Sequence, residues 1–93
     1  MVGPGPSKAT VDRLRERKET AERTFDTILS RQRATAAIWR TWKDESDPAK
    51  KAATYARLRT IVLGHPSLGA LVIRRETTIE DYEAAEAAFA RTA

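Results

Sequence analysis

Residues 8–45 read KATVDRLRERKETAERTFDTILSRQRATAAIWRTWKDE, 38 residues without a proline or a glycine. With Val11 at heptad position a, the a positions are Val11, Lys18, Phe25, Gln32 and Trp39. The d positions are then Leu14, Ala21, Ile28, Thr35 and Trp42. Seven of these ten are apolar, which predicts one long helix over about 8–45 with a single buried seam. A strand is ruled out, because alternation by two would scatter the same residues over both faces. Ser7 stands where an N-cap hydroxyl would accept from an orphan amide of the first turn. Lys18, Gln32 and Thr35 are the polar flaws in the seam. A buried ammonium or amide is costly without partners. Lys18 can snorkel to the seam edge, and Gln32 could pair with its own copy across a dimer.

Beyond this stretch, Asp44-Glu45-Ser46-Asp47-Pro48 is a turn cluster, with Asp47 and Pro48 as N-cap and first residue of a second helix. Its apolar stripe is Ala52, Tyr55, Leu58 and Val62, flanked by Ile61 and Leu63. Gly64 reads as the residue just past its end, where a positive φ is cheap. His65-Pro66-Ser67 is a connector. The run Leu68 to Ile73 suits a buried strand or a short buried helix. A lone strand would have no partner, so residues 68–75 are read as a short helix. Thr77-Thr78-Ile79-Glu80 has capping-box spacing and opens a terminal helix over about 78–91, with Ile79, Tyr82, Ala85 and Phe89 on one face. Glu80, Asp81 and Glu83 fall in its first turns, where the helix dipole favours carboxylates.

The expected fold is therefore all-α: a long N-terminal helix packed on two or three shorter ones as a hairpin or bundle. Residues 8–93 form a single helical domain and residues 1–7, MVGPGPS, a flexible tail. A helix over 8–45 would be roughly 55 Å long. A compact chain of this size has a radius of gyration near ~12 Å. The shorter helices would leave much of the seam bare, and bare apolar seams mark partner surfaces. A homodimer is the economical cover.

Composition narrows the function. The chain has no cysteine and one histidine, His65, so disulfides and Cys/His metal sites are excluded. Lack of cysteine fits a reducing cytoplasm. No apolar run approaches the about 18 residues of a membrane span. No glycine-rich phosphate loop and no nucleophile-elbow serine occur, and the carboxylates at 80–86 suit a solvated helix start better than catalysis. Neither a cofactor nor an enzymatic activity is expected. Twelve arginines against five lysines, with sixteen alanines, fit GC-rich coding and a bacterial or phage source.

The leading expectation is a non-enzymatic protein-interaction module: a small regulator, adaptor or inhibitor, of a kind that phages and mobile elements encode, whose partner is itself or another protein. Trp39 and Arg40, with Phe25, Ile28 and Leu14 of the seam, are the candidate contact residues, since tryptophan and arginine dominate interface hot spots. The competing role for both tryptophans is the core. Within the pair, Trp42 is expected to be structural, packing on Tyr55 or Leu58, and Trp39 partly exposed.

Charge supports an alternative. Residues 1–75 carry sixteen basic and eight acidic side chains, and residues 76–93 five acidic and one basic. Arg31, Arg33, Arg40, Lys43, Lys50, Lys51, Arg57 and Arg59 lie around the first helix corner, where Arg74 and Arg75 could join them. Such a face suits phosphate contacts with a nucleic acid. Residues 67–90 loosely follow a helix-turn-helix, but the second helix is acidic and would be repelled by a groove.

Overall fold

The computed structural model describes residues 5–92. It contains four helices: α1 Lys8–Arg31, α2 Ala36–Asp44, α3 Pro48–Leu63 and α4 Gly69–Thr92. Each packs on the next in chain order, and α4 closes the ring by lying along α1. The two long helices run antiparallel: Arg15 meets Tyr82 near one end, and Phe25 meets Arg75 near the other. At 24 residues each, they are about 36 Å long. With a radius of gyration of 15.7 Å and extents of 49 × 29 × 20 Å, the chain is elongated. Where all four helices meet we speak of the head; the two-helix remainder is the arm.

The expected 8–45 helix is broken. Gln32 turns extended (φ −85°, ψ 132°), and the chain re-enters a helix at Ala36. The break coincides with two of the three polar flaws in the seam. Thr35 is fully buried, and its hydroxyl donates to the Leu29 carbonyl at 2.7 Å. That carbonyl belongs to the last turn of α1, which lacks acceptors' usual partners further along the helix. The Gln32 carbonyl accepts from the amides of Thr35 and Ala36, so the corner's polar groups are satisfied. Packing gives the reason for breaking. A straight helix would hold Trp39 about 21 Å along the axis from Phe25; after the corner their ring centroids are 5.2 Å apart, edge to face.

The head core consists of Phe25, Leu29, Trp39, Leu58, Val62, Leu68 and Val72, with Ile28, Ile38, Trp42, Tyr55 and Leu71 packed around it. In the arm, Val11 and Ala21 are buried, while Ile79, Tyr82, Ala85 and Phe89 are half-buried along α4. Lys18 is handled at the seam edge: its ammonium lies 5.1 Å from the Tyr82 ring centre and pairs with Glu22. Because α4 covers α1 within one chain, the bare seam that called for a second copy is absent.

The other expectations divide. Ser7 caps α1 through the Thr10 amide at 3.2 Å. Asp47 caps α3 through the Lys50 amide at 3.1 Å, with Pro48 in the first turn. The expected tail over 1–7 falls in part outside the described residues; Gly5 lies close against the Thr92 side chain. Gly64 ends α3 with φ −77°, so the expected positive φ is not used. The short helix at 68–75 and the terminal helix at 78–91 are one continuous α4. Thr77, the expected cap, lies inside α4, and the neighbouring Thr78 hydroxyl donates back to the carbonyls of Arg74 and Arg75, a bond available inside a helix. Glu80, Asp81 and Glu83 therefore sit mid-helix, without the dipole role expected of them.

Candidate contact surface

The corner at Gln32–Thr35 and the tight α2–α3 turn bring four aromatic rings from three helices into a row. Phe25 of α1 meets Trp39 of α2; Trp39 stacks on Trp42 at 4.6 Å with 12° between planes; Trp42 meets Tyr55 of α3 at 6.1 Å. Trp39, three residues before Trp42, faces inward and is 3% exposed. Trp42, one turn on, is half-buried.

Cations decorate this row. Lys51 holds its ammonium 4.4 Å from the Trp42 ring centre. Arg75 of α4 lies 5.3, 5.6 and 5.4 Å from the centres of Phe25, Trp42 and Tyr55, and its Nη1 donates to the Tyr55 hydroxyl at 3.4 Å. Ring quadrupoles attract such cations, worth about 0.5–2 kcal/mol each depending on exposure. Among the described residues, neither Lys51 nor Arg75 has a carboxylate at ion-pair distance.

The nearby carboxylates are engaged elsewhere. Asp26 accepts from the Trp39 indole N–H and from Lys43 Nζ at 3.1 Å. The indole bond first, and then Lys43, hold its carboxyl below the usual range. Glu76 accepts from Arg59 Nε at 2.8 Å and from the Tyr55 hydroxyl at 2.8 Å. The Arg59 bond chiefly holds the Glu76 carboxyl low. Burial, and then the bond to Glu76, push the Tyr55 phenol up.

Two grooves flank Trp42. One, of about 390 Å³, is lined by Trp42, Pro48, Lys51, Ala52, Tyr55 and Arg75; its charges are all positive. The other, of about 420 Å³, mixes Glu19, Glu22 and Asp26 with Arg23 and Arg75 beside Trp39 and Trp42. A third groove, of about 800 Å³, lies between α1 and α4 on the arm and has both signs of charge on its walls. Among the described residues no group of three or more His, Cys, Asp or Glu is placed to hold a metal ion, and no helix is long and apolar enough to cross a membrane.

The expected contact residues are redistributed. Phe25 and Trp39 are interior, so they cannot be the surface that meets a partner in this fold. Ile28 is half-buried at the core's edge, Leu14 half-buried on the arm, and Arg40 exposed. Of the expected split, Trp42 does pack on Tyr55 but keeps part of its surface in solvent, whereas Trp39, expected partly exposed, is core, because the corner brings it onto Phe25. The expected basic corner is partly spent. Lys43 pairs with Asp26, Arg59 with Glu76, and Lys51 lies on Trp42. Arg31, Arg33, Arg40, Lys50 and Arg57 are exposed. Arg74 faces the arm groove. Sequence reasoning missed Arg75 as the centre of an aromatic cluster; the run Arg74-Arg75-Glu76 has no local feature that distinguishes it.

Comparison of the chain with protein-family models, with curated proteins and with solved structures finds no match.

Proposed function

We propose that this chain is a non-enzymatic interaction module, a small regulator, adaptor or inhibitor, that meets another protein through the Trp42 side of the head. The observation that carries this reading is the half-exposed indole of Trp42, set among Tyr55 and the cations Lys51 and Arg75, which have no carboxylate partner among the described residues. Tryptophan, tyrosine and arginine are the residues over-represented where binding energy concentrates. Fixed on rigid helices, they lose little freedom on binding. A cysteine-free chain suits action in a reducing compartment such as the cytoplasm.

The test is affinity capture from nuclease-treated lysate of the source cell, comparing the natural chain with Ala52→Glu. Ala52 is exposed on α3, and a longer acidic side chain there fills the groove without touching the core. A protein retained by the natural chain and lost with Ala52→Glu supports the reading; identical capture by both overturns it.

A second reading has one observation in its favour. Residues 24–76, which build the head, carry ten basic and five acidic side chains, whereas residues 5–23 and 77–92 carry seven and eight. Under this reading the head contacts nucleic-acid phosphates. Duplex binding should then fall by orders of magnitude between ~50 and ~200 mM salt, and Arg57→Ala with Arg59→Ala should weaken it without altering sequence preference. No mobility shift at low salt removes it.

A further inference from the structure

We propose that the groove between Trp42 and Tyr55 takes an acidic peptide segment bearing one bulky apolar side chain. This rests on the protein-binding reading above and specifies its partner chemistry.

The groove's lining is mostly apolar, supplied by Trp42, Tyr55, Pro48 and Ala52. Its charged groups are Lys51 and Arg75, both positive. Neither has a carboxylate partner among the described residues. Each is held in place by aromatic rings instead: Lys51 by Trp42, Arg75 by Phe25, Trp42 and Tyr55 together. A guanidinium has five donors, and Arg75 uses one on the Tyr55 hydroxyl. Positioned cations with unused donors beside an apolar slot are complementary to a carboxylate next to a hydrophobic side chain. Most of the surrounding acids are engaged elsewhere: Glu22 pairs with Lys18 and Asp26 with Lys43, while Glu19 lies on the neighbouring groove that Arg75 also lines. Glu76 is committed to Arg59 and Tyr55, and Asp47 to the start of α3. The excess positive charge of the head also steers an acidic segment toward this end.

A single-stranded nucleic acid is the rival anion. Its usual purchase on a protein is a base stacked on an open aromatic face. The Trp42 ring already stacks on Trp39 and has the Lys51 and Arg75 cations close to it, which leaves little face for a base. What remains suits an aliphatic or aromatic side chain of a peptide.

The experiment selects a phage-displayed library of random dodecapeptides on the immobilised full chain, then measures the enriched peptides by fluorescence anisotropy. A poly-dT oligonucleotide is the second probe. Enrichment of peptides that pair aspartate or glutamate with a bulky apolar residue is expected. Lys51→Glu should weaken them about tenfold or more, and Ala52→Glu should abolish binding. Circular dichroism and melting temperature verify that both surface variants fold. Enriched peptides that are neutral or basic yet still depend on Ala52 overturn the proposal while leaving the protein-binding reading intact. Stronger Ala52-dependent binding of the oligonucleotide than of any peptide overturns it, as does a homodimer that Ala52→Glu dissolves, which would make a second copy the occupant. If no peptide is enriched, the proposal fails, and the lysate capture decides the wider reading separately.

Discussion

At the arm end of the α1–α4 pair, Val11 and Ala21 are the buried residues of α1, and Arg15 and Lys18 close over Tyr82 from the solvent side. At the head end the same two helices contribute Phe25, Leu29 and Val72 to a core shared with α2 and α3. Pairing two helices leaves each with one covered stripe. Folding α2 and α3 back adds a second layer and lets whole aromatic side chains leave water. The arm is thus held by small apolar contacts and by cations over one ring, and the head by burial. Its alanine-rich α4 gives the arm little apolar area to bury, while the head holds all six residues with almost no solvent exposure: Phe25, Leu29, Leu58, Val62 and Val72 of α1, α3 and α4, and Thr35 of the corner.

The largest contrast should appear on truncation. Trp39→Ala is expected to cost about 3–5 kcal/mol, a large part of a small domain's stability. Val11→Ala in the arm should cost about 1–2 kcal/mol. Trp42→Ala, removing a half-exposed ring, should resemble the arm value more than Trp39. Urea titrations of the three variants decide this, and equal losses for Trp39 and Val11 would erase the distinction between the ends. Native-state hydrogen exchange offers a second view: arm amides should exchange through local openings at lower free energy than amides around Leu29, Leu58 and Val72.

Next in size is the corner that creates the head. Thr35→Val keeps the shape but leaves the buried Leu29 carbonyl without its hydroxyl donor, an expected loss of about 1–3 kcal/mol. Thr35→Ser keeps the donor and should lose less. If valine is as stable as threonine, the hydroxyl bond is incidental to the corner.

Acid should act on the head through Glu76. Its carboxyl is held low in the folded chain, so it contributes stability that is present above the unfolded value of about 4.3 and is lost as pH falls through the lowered folded value. Glu76→Gln should reduce stability at neutral pH and flatten this acid limb. Asp26→Asn, at a more exposed carboxylate, should do the same more weakly. The smallest effect is expected at Gly64. Its φ is ordinary, and an added Cβ would meet only carbonyl oxygens at 3.5 and 3.6 Å. Gly64→Ala should therefore stabilise by about 0.4–1 kcal/mol through the unfolded chain, and a loss in thermal melts would point to a need for glycine that the helix end does not reveal.

Much of the helical outline was legible. Ser7, Asp47 and Pro48 mark helix starts because a cap involves groups three residues apart. The stripe of Leu58 and Val62 is equally local. The contact surface was much less legible. Trp39 and Trp42 stood out by composition, but which of them faces solvent depends on the angle between α1 and α2. Lys51 entered the reading as one basic residue among eight. Arg75 became central only when α4 brought it against rings from three other helices.

The sequence by itself determined that the chain is helical, where two of its helices begin, and that its basic charge concentrates away from the acidic part of the last helix. These follow from periodicity, caps and counting, all of which operate over a few residues. The tertiary structure decided that the first helix breaks at Gln32–Thr35, that residues 69–92 run as one helix through Thr77 and Thr78, and that Trp39 is buried while Trp42 is not. Each of those outcomes balances a small local preference against the burial of side chains distant in sequence. At the corner, placing Trp39 on Phe25 outweighs the few helical bonds given up; in α4, the helix runs on against α1 and the Thr78 hydroxyl bonds back into it.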